Sequence, residues 1–215
     1  MSYEEARFAA ERESMVETYL QIDRVASDAI LDAMRAVPRH RFMLPRTHGY
    51  AYDDQAMPIG EDQTISQPTV VAMTLEAAGI EPGHRVLDVG AGSGYQSALL
   101  AELGAEVFAI ERHASLARTA RDALEATGYP RVQLKTGDGW LGWPEVGPFD
   151  AIVVGAAPAY VPPELLNQLK PGGRLVLPVG DAYRQVLQRW TRTDEGWKQE
   201  DLLDVLFVPL VEGMP

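Results

Sequence analysis

Apolar residues recur at spacings close to 3.6 from Glu4 to Ala36, where Phe8, Met15, Tyr19, Ile22, Val25, Ile30 and Met34 alternate with charged stretches. That period predicts a helical region, and Pro38 should end it. Residues 39–68 hold Pro45, Gly49, Pro58, Gly60 and Pro68 without lasting periodicity. They read as a long irregular segment, and an ordered loop of more than about 15 residues in a compact domain is usually functional.

From Val70 onward strands and helices alternate. Val70 to Ala78 is an apolar helix closed by Gly79, His84 to Val89 a strand, and Tyr95 to Leu103 a helix ended by Gly104. Glu106 to Ile110 reads as a strand, His113 to Thr127 as a helix capped by Gly128, and Val132 to Lys135 as a strand. Phe149 to Val154 is a fully apolar strand, Pro163 to Leu169 a short helix, and Arg174 to Leu177 a strand. This order predicts an α/β fold, a doubly wound and mostly parallel sheet covered by helices on both faces. The apolar runs Val186 to Trp190 and Leu203 to Val211 have only the turn Asp194-Glu-Gly196 between them, which predicts a C-terminal antiparallel hairpin.

The chain has 215 residues, a length that suggests a single domain over 1–215, with an N-terminal helical and loop subregion at 1–68 and an α/β core at 69–215. It has no cysteine, which excludes a thiolate nucleophile, a cysteine–zinc site, an iron–sulfur cluster and a redox pair. Its formal charge is −12 with only three lysines, so there is no basic stripe for nucleic acid and no attraction to an anionic membrane. No apolar run approaches the ~18 residues of a membrane span, and the acidic start lacks a secretory pattern. A cytoplasmic protein is expected. His40, His48, His84 and His113 show no ligand spacing, so no metal is expected. Trp140 and Trp143 read as core, with a plug over a ligand as the lesser alternative.

Chemistry gathers at the predicted strand ends. Val86-Leu-Asp-Val-Gly-Ala-Gly-Ser-Gly94 joins a strand to a helix, and Gly90, Gly92 and Gly94 would let the backbone turn tightly beside a ligand. The spacing is not the Gly-x-Gly-x-x-Gly of dinucleotide sites, and a Tyr-x-x-x-Lys pair is also lacking, which disfavours an NAD-linked reductase. Asp88 would oppose a pyrophosphate but suit an ammonium or sulfonium. Glu111, at the end of the next strand, could accept two hydrogen bonds from a ribose diol. Asp138, in Gly137-Asp-Gly139, could take an exocyclic adenine amine, with Gly139 leaving room for the ring. Each also has a plainer role: Asp88 and Glu111 as strand-end caps, residues 137–139 as a turn. Their recurrence at successive strand ends favours a ligand site.

Together these residues resemble the class I S-adenosylmethionine-dependent methyltransferases. A longer set is similar to the protein-L-isoaspartate O-methyltransferases: Val37-Pro-Arg-His40, Ile59-Gly-Glu-Asp-Gln-Thr-Ile-Ser-Gln-Pro68, the glycine loop, Gly137-Asp-Gly-Trp140, Pro148-Phe-Asp-Ala-Ile152, Gly155-Ala-Ala-Pro158, Leu169 to Gly180 and Phe207-Val-Pro-Leu210. Met57 stands where that family commonly has leucine, and residues 1–35 match only as a helical region. The resemblance implies a Rossmann-like methyltransferase fold and S-adenosylmethionine as methyl donor. It further implies isoaspartyl-containing proteins and peptides as substrates of a monomeric enzyme.

The implied reaction esterifies the α-carboxylate of an L-isoaspartyl residue, and the ester then closes to a succinimide. A carboxylate with a pKa near ~4 is already ionised at neutral pH, so no general base is required. The resemblance places Ser66 at the active site, orienting rather than attacking, since no histidine or lysine lies nearby in sequence to activate it. Capping the helix that begins near Pro68 is its plainer role. Thr64, Ile65 and Gln67 are expected to shape the same wall, and Ala156 and Ala157 to leave space for a peptide backbone. Two alternatives keep part of this reading: a carboxyl methyltransferase for another peptide or small acid, and a nucleoside-binding module without turnover.

Overall fold

The computed structural model describes residues 2–21 and 26–214. The helical pattern at the start resolves into α1 (Tyr3–Met15), a π-helical turn at Val16–Gln21 and α2 (Asp28–Ala36), so the expected single region is divided; Ile22 and Val25 lie outside the described residues. Ser2 caps α1 by accepting from Glu5 N at 3.1 Å, with Glu4 and Glu5 in the first turn, where the helix dipole favours acids. Residues 39–55 hold two 3₁₀ turns, at Arg39–Phe42 and Pro45–Tyr50.

The segment expected to be irregular also contains a hairpin, β1 (Met57–Gly60) and β2 (Gln63–Ile65). Its tip uses Glu61 and Asp62 at φ of +51° and +54°, a conformation few non-glycine residues adopt. Glu61 Oε1 there accepts from Ser115 Oγ at 2.5 Å, which ties the hairpin to a helix 54 residues further on. Helix α3 (Pro68–Ala78) ends at Gly79, whose φ of +60° gives the expected left-handed cap.

The core alternates β3 (Arg85–Val89), α4 (Tyr95–Glu102), β4 (Glu106–Glu111), α5 (Ala114–Ala126), β5 (Gln133–Thr136), β6 (Phe149–Val154), α6 (Pro163–Leu166) and β7 (Leu169–Gly180). β8 (Gln185–Thr193) and β9 (Gly196–Val205) follow as the antiparallel hairpin. The sheet order is β5-β4-β3-β6-β7-β8-β9, parallel from β5 to β7. Several boundaries differ from expectation: α6 stops at Leu166 rather than Leu169, and β7 runs on to Gly180 rather than ending at Leu177. β7 begins five residues early, because Lys170 to Gly173 bulge out between its pairings with Phe149 and Ala151. β9 starts at Gly196 and stops at Val205, so residues 206–211 form a trailing segment rather than strand.

Side chains of each central strand alternate between two buried clusters, as a pleat demands. Val86, Val107, Ala151, Val153 and Val176 face the first, which also takes Phe8, Met15, Met34, Leu75 and Leu99 from the helices. Leu87, Phe108, Ile110, Ile152 and Leu175 face the second, with Leu165 of α6 and, at its margin, Trp143. Trp140 is likewise buried, edge-on to Tyr160.

The chain leaves β3 toward β4 and β5, then returns to build β6 and β7 on the other side. The carboxyl ends of β3 and β6 therefore flank a topological switch point, where open α/β sheets hold ligands.

Candidate active site

Three adjoining recesses open at that switch point, with volumes of about 70, 50 and 40 Å³. The outer one lies between Ser66 and Gln67 on one side and Val205 to Val208 on the other. The edge recess runs past Gly90, Gly92, Glu111 and Gly139 to Pro209 and Leu210. The inner one is bounded by Ser66, Ala91, Ser93 and Tyr95. Thr64 and Gly155 border all three, which makes them parts of one crevice. A larger cavity of about 750 Å³ sits at the opposite, amino end of the sheet, around Gly83, Glu106 and Tyr129. It contains none of the candidate site residues the sequence singles out.

The glycine loop turns as its composition requires, with φ of +77° at Gly90, +54° at Gly92 and +88° at Gly94. Gly90 and Gly92 border the crevice; Gly94 instead packs on α5, where a Cβ would stand 3.3 Å from Ala120 and Leu124. Gly155 is the residue that sequence reasoning left out of the site. Its N–H donates to Val89 O at 2.8 Å, and a Cβ there would lie 2.9 Å from Gly90 O. The signal was present in its place immediately after β6.

Asp88 lies beneath the loop, fully buried and outside the recess walls. It accepts from Gln96 Nε2 at 2.9 Å and from Ser97 Oγ at 2.5 Å, so it pins the first turns of α4. Burial lifts its pKa to about 6, against the pull of those two donors. At neutral pH it is mostly ionised and places negative charge under the crevice floor.

Glu111 borders the edge recess and accepts from Gly92 N at 2.8 Å and His113 N at 2.9 Å. It therefore fills its plainer role, joining the glycine loop to the start of α5, and each oxygen keeps a lone pair for another donor. Beside it, the Nε of Arg112 is buried and finds no acceptor among the described residues. Asp138 is engaged by Trp140 N at 2.9 Å and by Gly213 N at 2.7 Å, so the C-terminal segment is tied across it. At Gly139 a Cβ would stand 2.6 Å from Val89 Cγ1; packing against the strand accounts for this glycine.

On the opposite wall Ser66 borders the outer and inner recesses, and its hydroxyl makes no hydrogen bond among the described residues. The cap of α3 comes from elsewhere: Asp54 Oδ1 accepts from Thr69 N at 2.9 Å, and Asp54 Oδ2 from Gln67 Nε2 at 2.8 Å. Capping is thus not what Ser66 does. Ile65 is buried and borders the inner recess, while Gln67 borders the outer one. Ala156 borders the edge recess. Ala157 gives its N–H to Val208 O and its carbonyl to Leu210 N, both at 2.8 Å, and so holds the trailing segment in place.

Of the histidines only His113 borders the crevice, and there its backbone N–H serves Glu111. His40 stacks on Phe8 at 4.0 Å and meets Tyr52 Oη at 2.8 Å, and burial lowers its pKa to about 4. No group of three or more His, Asp or Glu able to hold a metal occurs among the described residues. No helix among them is long and apolar enough to cross a membrane.

Comparison with known proteins gives a consistent set. A family model described as protein-L-isoaspartate(D-aspartate) O-methyltransferase matches residues 10–214. The chain is 51% identical to a protein-L-isoaspartate O-methyltransferase of Methylorubrum extorquens, over 96% of this chain and 90% of that one. It is 49% identical to one of Opitutus terrae, over 100% of this chain and 92% of the relative. Among solved structures it superposes with a TM-score of 0.84 and 26% identity on a Plasmodium falciparum chain described as a protein-L-isoaspartate O-methyltransferase in complex with S-adenosyl-L-homocysteine, covering 94% of this chain and 99% of that one.

Proposed function

Since the chain belongs to the protein-L-isoaspartate(D-aspartate) O-methyltransferase family, we infer that it methylates the α-carboxylate of L-isoaspartyl residues in damaged proteins and peptides. S-adenosylmethionine is the donor. The ester then closes to a succinimide, whose hydrolysis returns some normal aspartate. The observation that carries this reading in the structure is the free hydroxyl of Ser66, facing across one crevice the glycine loop and Glu111.

The residues present fit a sulfonium nucleoside. Glu111 has lone pairs to spare and Arg112 Nε is a buried donor without a partner among the described residues, both at the edge recess. Asp88 adds negative charge below. When bound, the donor supplies an electrophilic methyl group on positively charged sulfur. Glu111 would hold a ribose diol, Gly90 and Gly92 would admit the ligand close to the backbone, and Asp88 would favour its positive charge through the field rather than by contact.

No side chain has to remove a proton, because the acceptor carboxylate is ionised before it binds. What the chain supplies is position. Holding the acceptor oxygen in line can contribute about 7 to 11 kcal/mol of the barrier. Ser66 donates to the acceptor carboxylate. The outer recess beside it presents Thr64, Gln67 and apolar Val70 and Leu206, with no cationic side chain. A neutral donor orients the anion without the ground-state stabilisation that a guanidinium would give.

We read the chain as one methyltransferase domain over 1–215, cytoplasmic and acting as a monomer without nucleic acid or membrane. The shared buried cluster from Phe8 to Leu187 supports the single domain. The charge of −12 supports the absence of polyanionic partners.

The test offers labelled S-adenosylmethionine and paired peptides identical except for an aspartyl or isoaspartyl linkage. Base-labile label is expected on the isoaspartyl member alone, and equal labelling of both would defeat the reading. Ser66→Ala is expected to lower kcat roughly tenfold to a hundredfold while S-adenosylhomocysteine binds as before.

A further inference from the structure

Arg39 is fully buried in the 3₁₀ turn after Pro38. Among the described residues no carboxylate hydrogen-bonds to it. Its Nε donates to Ala51 O at 3.0 Å, its Nη2 reaches Gln55 O at 3.5 Å, and its guanidinium lies 5.1 Å from the Tyr95 ring. Burial lowers its pKa to about 10, so it remains a cation at neutral pH. A buried cation without a salt bridge is costly; here the nearby Asp54 carboxylate favours the charge through the field, so the cation and the carboxylate help hold the same turn together. Here the two acceptor carbonyls bracket Tyr52 to Asp54, so the guanidinium closes that turn around itself. Through Tyr95, the first residue of α4, the same group abuts the glycine loop.

The closed turn carries Asp54. One of its oxygens caps α3 at Thr69 N, which a helix start needs. The other holds the side chain of Gln67, which a helix start does not need. Gln67 directly follows Ser66, whose own hydroxyl is left free. Ser66 is therefore fixed from its C-terminal side by Asp54 and from its N-terminal side by the β2 pairing of Ile65 with Met57.

We propose that Asp54 is a positioning residue for methyl transfer: carried by the turn that Arg39 closes, it sets the place of Gln67 and the start of α3, and thereby the angle at which Ser66 meets the acceptor carboxylate. This rests on the reading of Ser66 given above. Asp54 borders none of the three recesses and acts through its neighbours, so its loss should show in turnover and peptide KM but not in donor binding.

The experiment compares the full-length wild type, Asp54→Asn, Gln67→Ala, Ser66→Ala and the Ser66→Ala/Asp54→Asn double variant. Each is measured for thermal unfolding, S-adenosylhomocysteine affinity by calorimetry, and kinetics on an isoaspartyl peptide at saturating donor. Asp54→Asn is expected to lower kcat/KM for the peptide roughly tenfold while the affinity stays within about twofold. Gln67→Ala breaks the same tie from its other end and should reproduce the pattern even where the Asp54 change impairs folding. In the Ser66→Ala background the Asp54 change should add little further loss, as expected for residues acting through one another. A lowered Tm with unchanged kcat and peptide KM would make Asp54 a structural cap and overturn the inference. So would an Asp54 effect that persists in full without the serine hydroxyl. Ser66→Ala with wild-type turnover would instead remove the serine reading, and this inference with it.

Discussion

Two carboxylates at neighbouring strand ends divide the work by their surroundings. Asp88, without access to water, has its pKa raised from 3.8 to about 6. Between those values the folded protein holds a proton that the unfolded chain has lost. Its contribution to stability is therefore complete below about pH 4 and is lost as pH rises through 6, by roughly 3 kcal/mol in all. Asp88→Asn lacks this dependence. Relative to wild type its Tm is expected to be higher at pH 7 than at pH 4.5, and an unchanged difference would refute the buried titration. Glu111 borders the crevice and accepts from two backbone amides, with lone pairs left over for the ribose diol proposed above. Glu111→Gln is expected to weaken S-adenosylhomocysteine binding by about 1.5 to 3 kcal/mol, roughly tenfold to a hundredfold, in a calorimetric titration. Unaltered affinity would take Glu111 out of the cofactor site.

The approach of two loops at the switch point sets the crevice width, and one missing side chain permits it. Gly155→Ala would put a methyl group 2.9 Å from Gly90 O. We expect S-adenosylhomocysteine affinity to fall at least about tenfold while Tm drops by only a few degrees; a variant that binds normally would show that the two loops part freely. Elements like these were legible where local rules decide them. β3, β4, β6, α3, α4 and α5 follow from apolar runs, 3.6-residue spacing and glycine stops, and so does the order that makes the sheet parallel. The β1–β2 hairpin was not legible, because its strands have four and three residues and its tip uses Glu61 and Asp62 where Asn-Gly would have signalled a turn. β9 was placed too late because Lys198, Glu200, Asp201 and Asp204 give a charged edge strand little apolar signature. In the site, Glu111 and Ser66 could be picked out by position in a motif. The roles of Arg39 and Asp54 depend on contacts 12 to 16 residues away in the chain, which spacing alone does not reveal.

Over the whole molecule, helices from the first third and strands from the last share one buried cluster, so the wall bearing Ser66 and the sheet bearing Glu111 are packed as a unit. The surface surrounding them is strongly acidic, at −12 overall. That field should repel acidic peptides and draw basic ones. Raising ionic strength from about 0.01 to 0.15 M is expected to increase kcat/KM for an acidic isoaspartyl peptide several-fold and to decrease it for a basic one. Equal salt responses would mean that the overall field does not reach the crevice mouth. The cap of α3 has a consequence of another kind. Because Asp54 supplies it from a separate turn, the Thr69 amide is shielded only while residues 51–55 stay docked. Its exchange with deuterium should track the opening of that turn, faster than amides in the middle of the same helix, and so report from within one helix how often the serine wall comes loose.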